Sequence, residues 1–182
     1  DRSEKQSPFT LRYISKLINS LGYGRVTIIE PHSNVTSALI NKSYPLFINE
    51  KLVKLAIRDL KMDMTTDYIM YPDAGASSRY KDFTYPNVVV GNKVRNFETG
   101  EIKELQLISE FNSDCKRVLI VDDLSSYGGT FVHSAKKLRE QGFEEVYLLV
   151  AHAENSIFKG ELVEYVDKVF TTDSILTEQD NW

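Results

Sequence analysis

Val118-Leu119-Ile120-Val121-Asp122-Asp123-Leu124-Ser125-Ser126-Tyr127-Gly128-Gly129-Thr130 is the stretch on which the fold turns. Four consecutive apolar residues, Val118–Val121, suit a strand buried on both faces. Two carboxylates follow at once, at Asp122 and Asp123. Gly128-Gly129 then lets the backbone turn tightly with its N–H groups aimed inward. Thr130 opens a helix whose positive end favours an anion. Ser125, Ser126 and Thr130 add hydroxyl donors. The segment therefore reads as a nest for a phosphate. Its two carboxylates are suited to sugar hydroxyls or to a Mg²⁺ held through water. A plain strand-to-helix turn accounts for the glycines but not for two carboxylates directly after an apolar strand.

Outward from this stretch, β-rich runs alternate with helical patterns. Leu11, Ile14, Leu17, Ile18 and Leu21 share one face of a helix predicted over Pro8–Leu21, with Ser7 as N-cap and Gly22 as its stop. Further helices are predicted at Asn49–Leu60, from Gly129 or Thr130 to Gln141, and at Ile157–Tyr165. Strands are predicted at Val26–Glu30, Asp67–Tyr71, Asn87–Val90, Arg117–Val121, Val146–Ala151 and Lys168–Thr172. Apolar strands alternating with helices define an α/β class, a mostly parallel sheet flanked by helices.

In such sheets ligands bind beyond the carboxyl ends of the strands. Those ends read Glu30-Pro31-His32-Ser33, then Pro72-Asp73-Ala74-Gly75-Ala76-Ser77-Ser78, then Gly91-Asn92-Lys93-Val94-Arg95, then the stretch quoted first. Carboxylate, imidazole, hydroxyl, glycine and cation recur there. That inventory suits a polyphosphate and its metal. A polar loop around Lys93 and Arg95, with Asn92, Asn96, Thr99 and Gly100, is expected to be mobile and able to close over substrate. His133 and His152 read as structural.

Composition narrows the classes further. The 182 residues carry a net charge of −4, which argues against a protein that binds a nucleic-acid backbone. The longest apolar run, Val146–Ala151, is far short of the ~20 residues of a membrane span. A single cysteine, Cys115, leaves no internal disulfide and fits a reducing cytoplasm. One Cys and three His make no zinc cage. No secretory signal is visible, and the opening residue Asp1 fits a fragment or a processed product.

Val118 through Thr130 resembles the signature of the type I phosphoribosyltransferase fold. Within that fold the whole chain resembles the ribose-phosphate diphosphokinases. Asp1-Arg2 is similar to the tail of that family's Arg-Gln-Asp-Arg/Lys ATP-binding segment, and Pro8–Leu21 to the helix after it. Glu30-Pro31-His32-Ser33 stands where the family has Asp-Leu-His-Ala/Ser. Pro72-Asp73-Ala74-Gly75 resembles its diphosphate loop, Lys93-Val94-Arg95 its Lys-x-Arg catalytic loop, and Thr171-Thr172-Asp173-Ser174-Ile175 its Thr-Asp-Thr/Ser-Ile ending.

The resemblance implies transfer of the β,γ-diphosphoryl group of Mg-ATP to the anomeric hydroxyl of ribose 5-phosphate. The products are phosphoribosyl diphosphate and AMP. By analogy Lys93 and Arg95 are catalytic, Arg2 and His32 bind ATP, and His32 and Asp73 hold Mg²⁺. Asp73, Ala74, Gly75, Ala76 and Ser77 take the diphosphate, with Ser78 as a further hydroxyl. Asp122, Asp123, Ser125, Ser126, Tyr127, Gly128, Gly129 and Thr130 take the sugar phosphate. ATP and a ribose 5-phosphate acceptor are the expected partners, in a cytoplasmic homo-oligomer without nucleic acid or membrane.

Two departures stand out. The family's sugar-phosphate loop reads Asp-Asp-hydrophobic-hydrophobic-Asp-Thr-Gly-Gly-Thr, whereas here Ser125, Ser126 and Tyr127 replace its second hydrophobic, its third Asp and its Thr. An aromatic ring at Tyr127 suits a nucleobase, so a larger acceptor such as ADP-ribose is an alternative. The second departure is length. Residues 1–46 read as the remainder of an N-terminal phosphoribosyltransferase-like domain whose first half is absent, and 47–182 as the C-terminal domain. An apolar face normally covered is expected to be exposed. A transferase that consumes phosphoribosyl diphosphate, and a non-catalytic regulatory member of a synthetase assembly, are the remaining readings.

Overall fold

A computed structural model describes residues 9–95, 102–108, 111 and 116–177. The chain divides into two compact units, 1–48 and 49–182.

In the second unit six strands form one sheet in the order β5-β4-β3-β6-β7-β8. They are β3 (Tyr68–Tyr71), β4 (Val88–Arg95), β5 (Ile102–Ile108), β6 (Arg117–Ser125), β7 (Glu145–Ala153) and β8 (Lys168–Phe170). All neighbours run parallel except β4 and β5, which form an antiparallel hairpin at one edge. The expected α/β sheet is therefore present.

Strand periodicity assigns the two faces. Tyr68 and Met70 on β3 and Val118 and Ile120 on β6 pack with Phe131, Val132, Ala135 and Leu138 of helix α5 (Gly129–Glu140). Ile69, Tyr71, Leu119 and Val121 point the other way, onto Val53 and Ala56 of helix α3 (Asn49–Leu60). Each fully buried side chain of this kind contributes about 1.5–3 kcal/mol. Burial on both faces is why these strands lack a polar alternation.

From β3 the chain moves to β4 on one side, and later places β6 on the other side of β3. The strand order thus reverses between β3 and β6, and a crevice opens there beyond the strand ends. Helix α4 (Ala74–Arg79) follows β3, and a 3-10 turn (Asn155–Lys159) and helix α6 (Leu162–Tyr165) follow β7. The predicted single helix over Ile157–Tyr165 is therefore two pieces, parted at Gly160 and Glu161. Strand β6 runs four residues past Val121, because β7 runs alongside it to Ala153.

The first unit holds helix α1 (Thr10–Ser20), strand β1 (Val26–Ile29), helix α2 (Asn34–Leu39) and strand β2 (Ser43–Leu46). Its two strands pair in parallel. Ser7 and Pro8, the expected cap and first turn of α1, lie outside the described residues, and Phe9 precedes the helix. The apolar face of α1 is open: Leu17 is 61% exposed, with Ile14 and Leu21 also exposed. Among the described residues of this unit only Ile40 is a buried hydrophobic. A two-stranded sheet with so little burial is marginal alone.

Candidate functional site

The crevice at the strand reversal lies between the ends of β3 and β6. At the end of β3, Asp73 caps α4 by accepting the Ala76 backbone N–H at 2.9 Å. Ser77 and Ser78 lie inside that helix rather than at its cap, while Ala74, Gly75 and Ala76 form its first turn. At the end of β6, Asp122 and Asp123 belong to the strand itself.

Both carboxylates are largely buried, and the side chain that permits this is Arg79, at the last position of α4. Its guanidinium lies 3.1 Å from Asp122 and 2.9 Å from Asp123. Sequence reasoning missed it, since nothing in a six-residue stretch rich in Gly and Ser announces a partner 43 residues on. Burial, with Asp123 close by, pushes the Asp122 carboxyl up to about 7, while Arg79 pulls the other way. Asn49, wholly buried at the start of α3, donates to the Asp122 carbonyl at 2.8 Å and to the Tyr80 hydroxyl at 2.6 Å. One strand end is thus braced by residues of both α3 and α4.

Beyond the carboxylates, residues 122 and 124–131 line a cavity of about 310 Å³ at the start of α5. Gly128 caps that helix with φ +80, a conformation that costs other residues dearly. A Cβ there would also strike Leu162. The first backbone N–H groups of α5 have no partner in the preceding turn of helix and so suit an anion.

The loop hydroxyls have partners within the protein. The Ser126 hydroxyl donates to Glu154 at 2.7 Å, and the Ser125 hydroxyl turns to the Ser126 carbonyl at 3.4 Å. Both were expected to serve the anion; the Ser126 hydroxyl meets the segment after β7, whereas the Ser125 contact is local, to the next residue. Tyr127 remains 59% exposed.

That segment also approaches at Gly160, where a Cβ would overlap the Tyr127 carbonyl oxygen. Gly160→Ala should therefore destabilise the fold by about 1–3 kcal/mol through forced displacement of the loop. The midpoint of urea unfolding measures it, and an unchanged midpoint would show that the loop yields freely.

Lys93 and Arg95 do not stand in an open loop. Their backbone belongs to β4, which pairs antiparallel with β5, Lys93 opposite Leu105 and Arg95 opposite Ile102. The Gly-Asn-Lys polarity that reads as a loop belongs to a hairpin at the sheet edge. Asn96, Thr99 and Gly100, and likewise Arg2, Cys115 and Trp182, lie outside the described residues. His32 is exposed in the turn between β1 and α2. His133 is exposed on α5, and His152 Nδ1 lies 2.6 Å from the Ser174 hydroxyl. Among the described residues no three His, Cys, Asp or Glu side chains gather as a metal cage, and no helix is long and apolar enough to cross a membrane.

A strand ending in two carboxylates, a Gly-Gly turn and a helix start thus stand together at the reversal point of an α/β sheet. The phosphoribosylpyrophosphate synthetase from Mycobacterium smegmatis shares this fold, with a TM-score of 0.72 at 14% identity over 94% of this chain and 59% of that one. In sequence the chain is a relative of the ribose-phosphate pyrophosphokinases, as its motifs suggested. It is 25% identical over 176 residues to the one from Mycoplasma pneumoniae, covering 91% of this chain and 49% of the relative. To ribose-phosphate pyrophosphokinase A of Dictyostelium discoideum it is 24% identical over 182 residues, 97% of this chain and 55% of that protein. To the protein from Pyrococcus abyssi it is 28% identical over 186 residues, 98% and 62%. The chain thus spans about half to three-fifths of the length of these relatives. No family model matches.

Proposed function

We propose that the protein acts in ribose-phosphate diphosphokinase chemistry, moving the β,γ-diphosphoryl group of Mg-ATP to the anomeric hydroxyl of a ribose 5-phosphate and releasing AMP. The observation that carries this reading is the end of β6. There two buried carboxylates on Arg79 lead directly into a cavity headed by the start of α5. Asp122 and Asp123 accept hydrogen bonds from the sugar hydroxyls, and the backbone of Gly128, Gly129 and Thr130 takes the 5-phosphate. The loop after β3, from Asp73 to Ser77, takes the transferring diphosphate. Lys93 and Arg95 neutralise the charge that spreads over it in the transition state.

Mg²⁺, when bound, would offset the charge of the phosphates. It would be held through one or two carboxylates, water and substrate phosphates rather than a protein cage, and Asp73 at the end of β3 is the candidate carboxylate. Arg2 joins His32 at ATP. Residues 1–46 complete an N-terminal phosphoribosyltransferase-like domain with further chain, which covers the open apolar face of α1. The assembly is a cytoplasmic homo-oligomer.

Phosphorus NMR on the longest reading frame containing this chain, with Mg-ATP and ribose 5-phosphate, tests the reading. AMP and a new anomeric diphosphate signal are expected. A folded, ATP-binding protein that forms no AMP would overturn it in favour of a transferase or a regulatory subunit. The 182 residues alone should release little AMP.

A further inference from the structure

The departure at Ser126 has a structural counterpart one strand away. Ser126, Ser156 and Glu154 form a triangle in which both hydroxyls donate to one carboxylate oxygen, with the two hydroxyl oxygens side by side. The Ser126 hydroxyl lies 2.7 Å from Glu154 Oε2 and 2.9 Å from the Ser156 hydroxyl, and the Ser156 hydroxyl donates to the same carboxylate oxygen at 3.2 Å. The pairing of β6 with β7 fixes the geometry, since Ser125 stands opposite Ala153 and the Glu154 backbone N–H donates to the Ser125 carbonyl at 2.9 Å. Sheet register thus places the Glu154 backbone beside the loop, and its exposed side chain reaches the Ser126 hydroxyl. Its carboxylate sits one hydrogen bond behind Ser126, which lines the cavity.

We propose that Glu154 is a specificity-determining residue of the sugar-phosphate loop. Resting on the function proposed above, it disfavours a terminal, doubly charged phosphate and favours a phosphate already joined to a second group. The physical reason is direct. A fixed negative charge close behind an anion site repels each unit of ligand charge, and a terminal phosphate brings nearly two units where an ester or anhydride phosphate brings one. The triangle also uses the only proton of Ser126 on Glu154, so that hydroxyl gives the anion nothing in return.

Tyr127 supplies the complement. The next residue along the loop presents a ring that is 59% exposed, while the loop backbone behind it is packed by Gly160 and Leu162. An anchored backbone under an open ring makes a rigid stacking surface for whatever the joined phosphate carries. The class that matches both features is a ribose whose 5-phosphate continues through an anhydride to a nucleoside.

The test compares ribose 5-phosphate with ADP-ribose by calorimetric titration against the full-length protein, as wild type, Glu154→Gln and Glu154→Asp. Wild type should bind ADP-ribose more tightly. Glu154→Gln should tighten ribose 5-phosphate about five-fold and ADP-ribose only about two-fold, in proportion to the charge each phosphate brings. Glu154→Asp, which keeps the charge, should stay near wild type for both. Equal shifts for the two ligands, no shift for either, or a wild-type preference for ribose 5-phosphate would overturn the role of Glu154 and leave the proposed reaction standing. Folded wild-type protein that binds neither ligand would overturn the sugar-phosphate reading of the loop, and this inference with it.

Discussion

Arg79→Ala should lower the unfolding free energy by about 3–5 kcal/mol at pH 8, the cost of leaving buried carboxylates without their cation. Both Asp122 and Asp123 depend on this one guanidinium among the contacts described above. The loss should be smaller at pH 5.5, because a proton on Asp122 removes one of the two charges. The sign follows from where Asp122 titrates. Its carboxyl is pushed up to about 7 from an ordinary 3.8, so the folded state binds that proton more readily than the unfolded chain does. Wild-type stability contributed by this group therefore falls as pH rises from about 4 to 7, and is level above. Asp122→Asn should flatten that slope, and Arg79→Ala should extend it to higher pH. Urea unfolding at pH 5.5 and pH 8 measures all three proteins. Equal losses for Arg79→Ala at both pH values would show that the cation does not offset the carboxylates.

In the proposed reaction, Lys93→Ala and Arg95→Ala should each lower the rate of AMP formation by about 10²–10³-fold, the usual cost of removing one preorganised charge donor from a transition state. Affinity for ribose 5-phosphate should change by less than about two-fold, because these positions act on the transferring group. The double variant should lose less than the product of the single losses, since both cations neutralise one spreading charge. Their positions on paired strand β4 set this apart from a loop that closes and opens. Steady-state AMP release and calorimetry on the full-length protein separate the two effects. A rise in KM alone would move Lys93 and Arg95 from the reaction to substrate binding.

Some elements were plain in the sequence because one periodicity dominated them. Helix α3 and strands β3, β6 and β7 fall within a few residues of their predicted spans. Others carried mixed signals. Strand β2 contains Pro45, which argues against a strand until β1 pairs beside it. Helix α4, with Gly75 and two serines, has poor helix formers and depends on its Asp73 cap. Strand β5 alternates apolar and polar residues only over Glu104–Leu107, and lies next to a polar stretch that read as loop.

Residue type and local spacing alone determined the α/β class, the carboxylates at the end of β6, the Gly-Gly turn and the motif order along the chain. These depend on contacts within a few residues, which one stretch of sequence contains. Tertiary structure alone decided that Arg79 holds Asp122 and Asp123, that Asn49 braces the same strand end, and that Glu154 engages Ser126. Each joins residues 28 to 73 positions apart through sheet register and helix packing. No local pattern encodes such a pairing, because the energy of a buried charge depends on what the completed fold brings beside it.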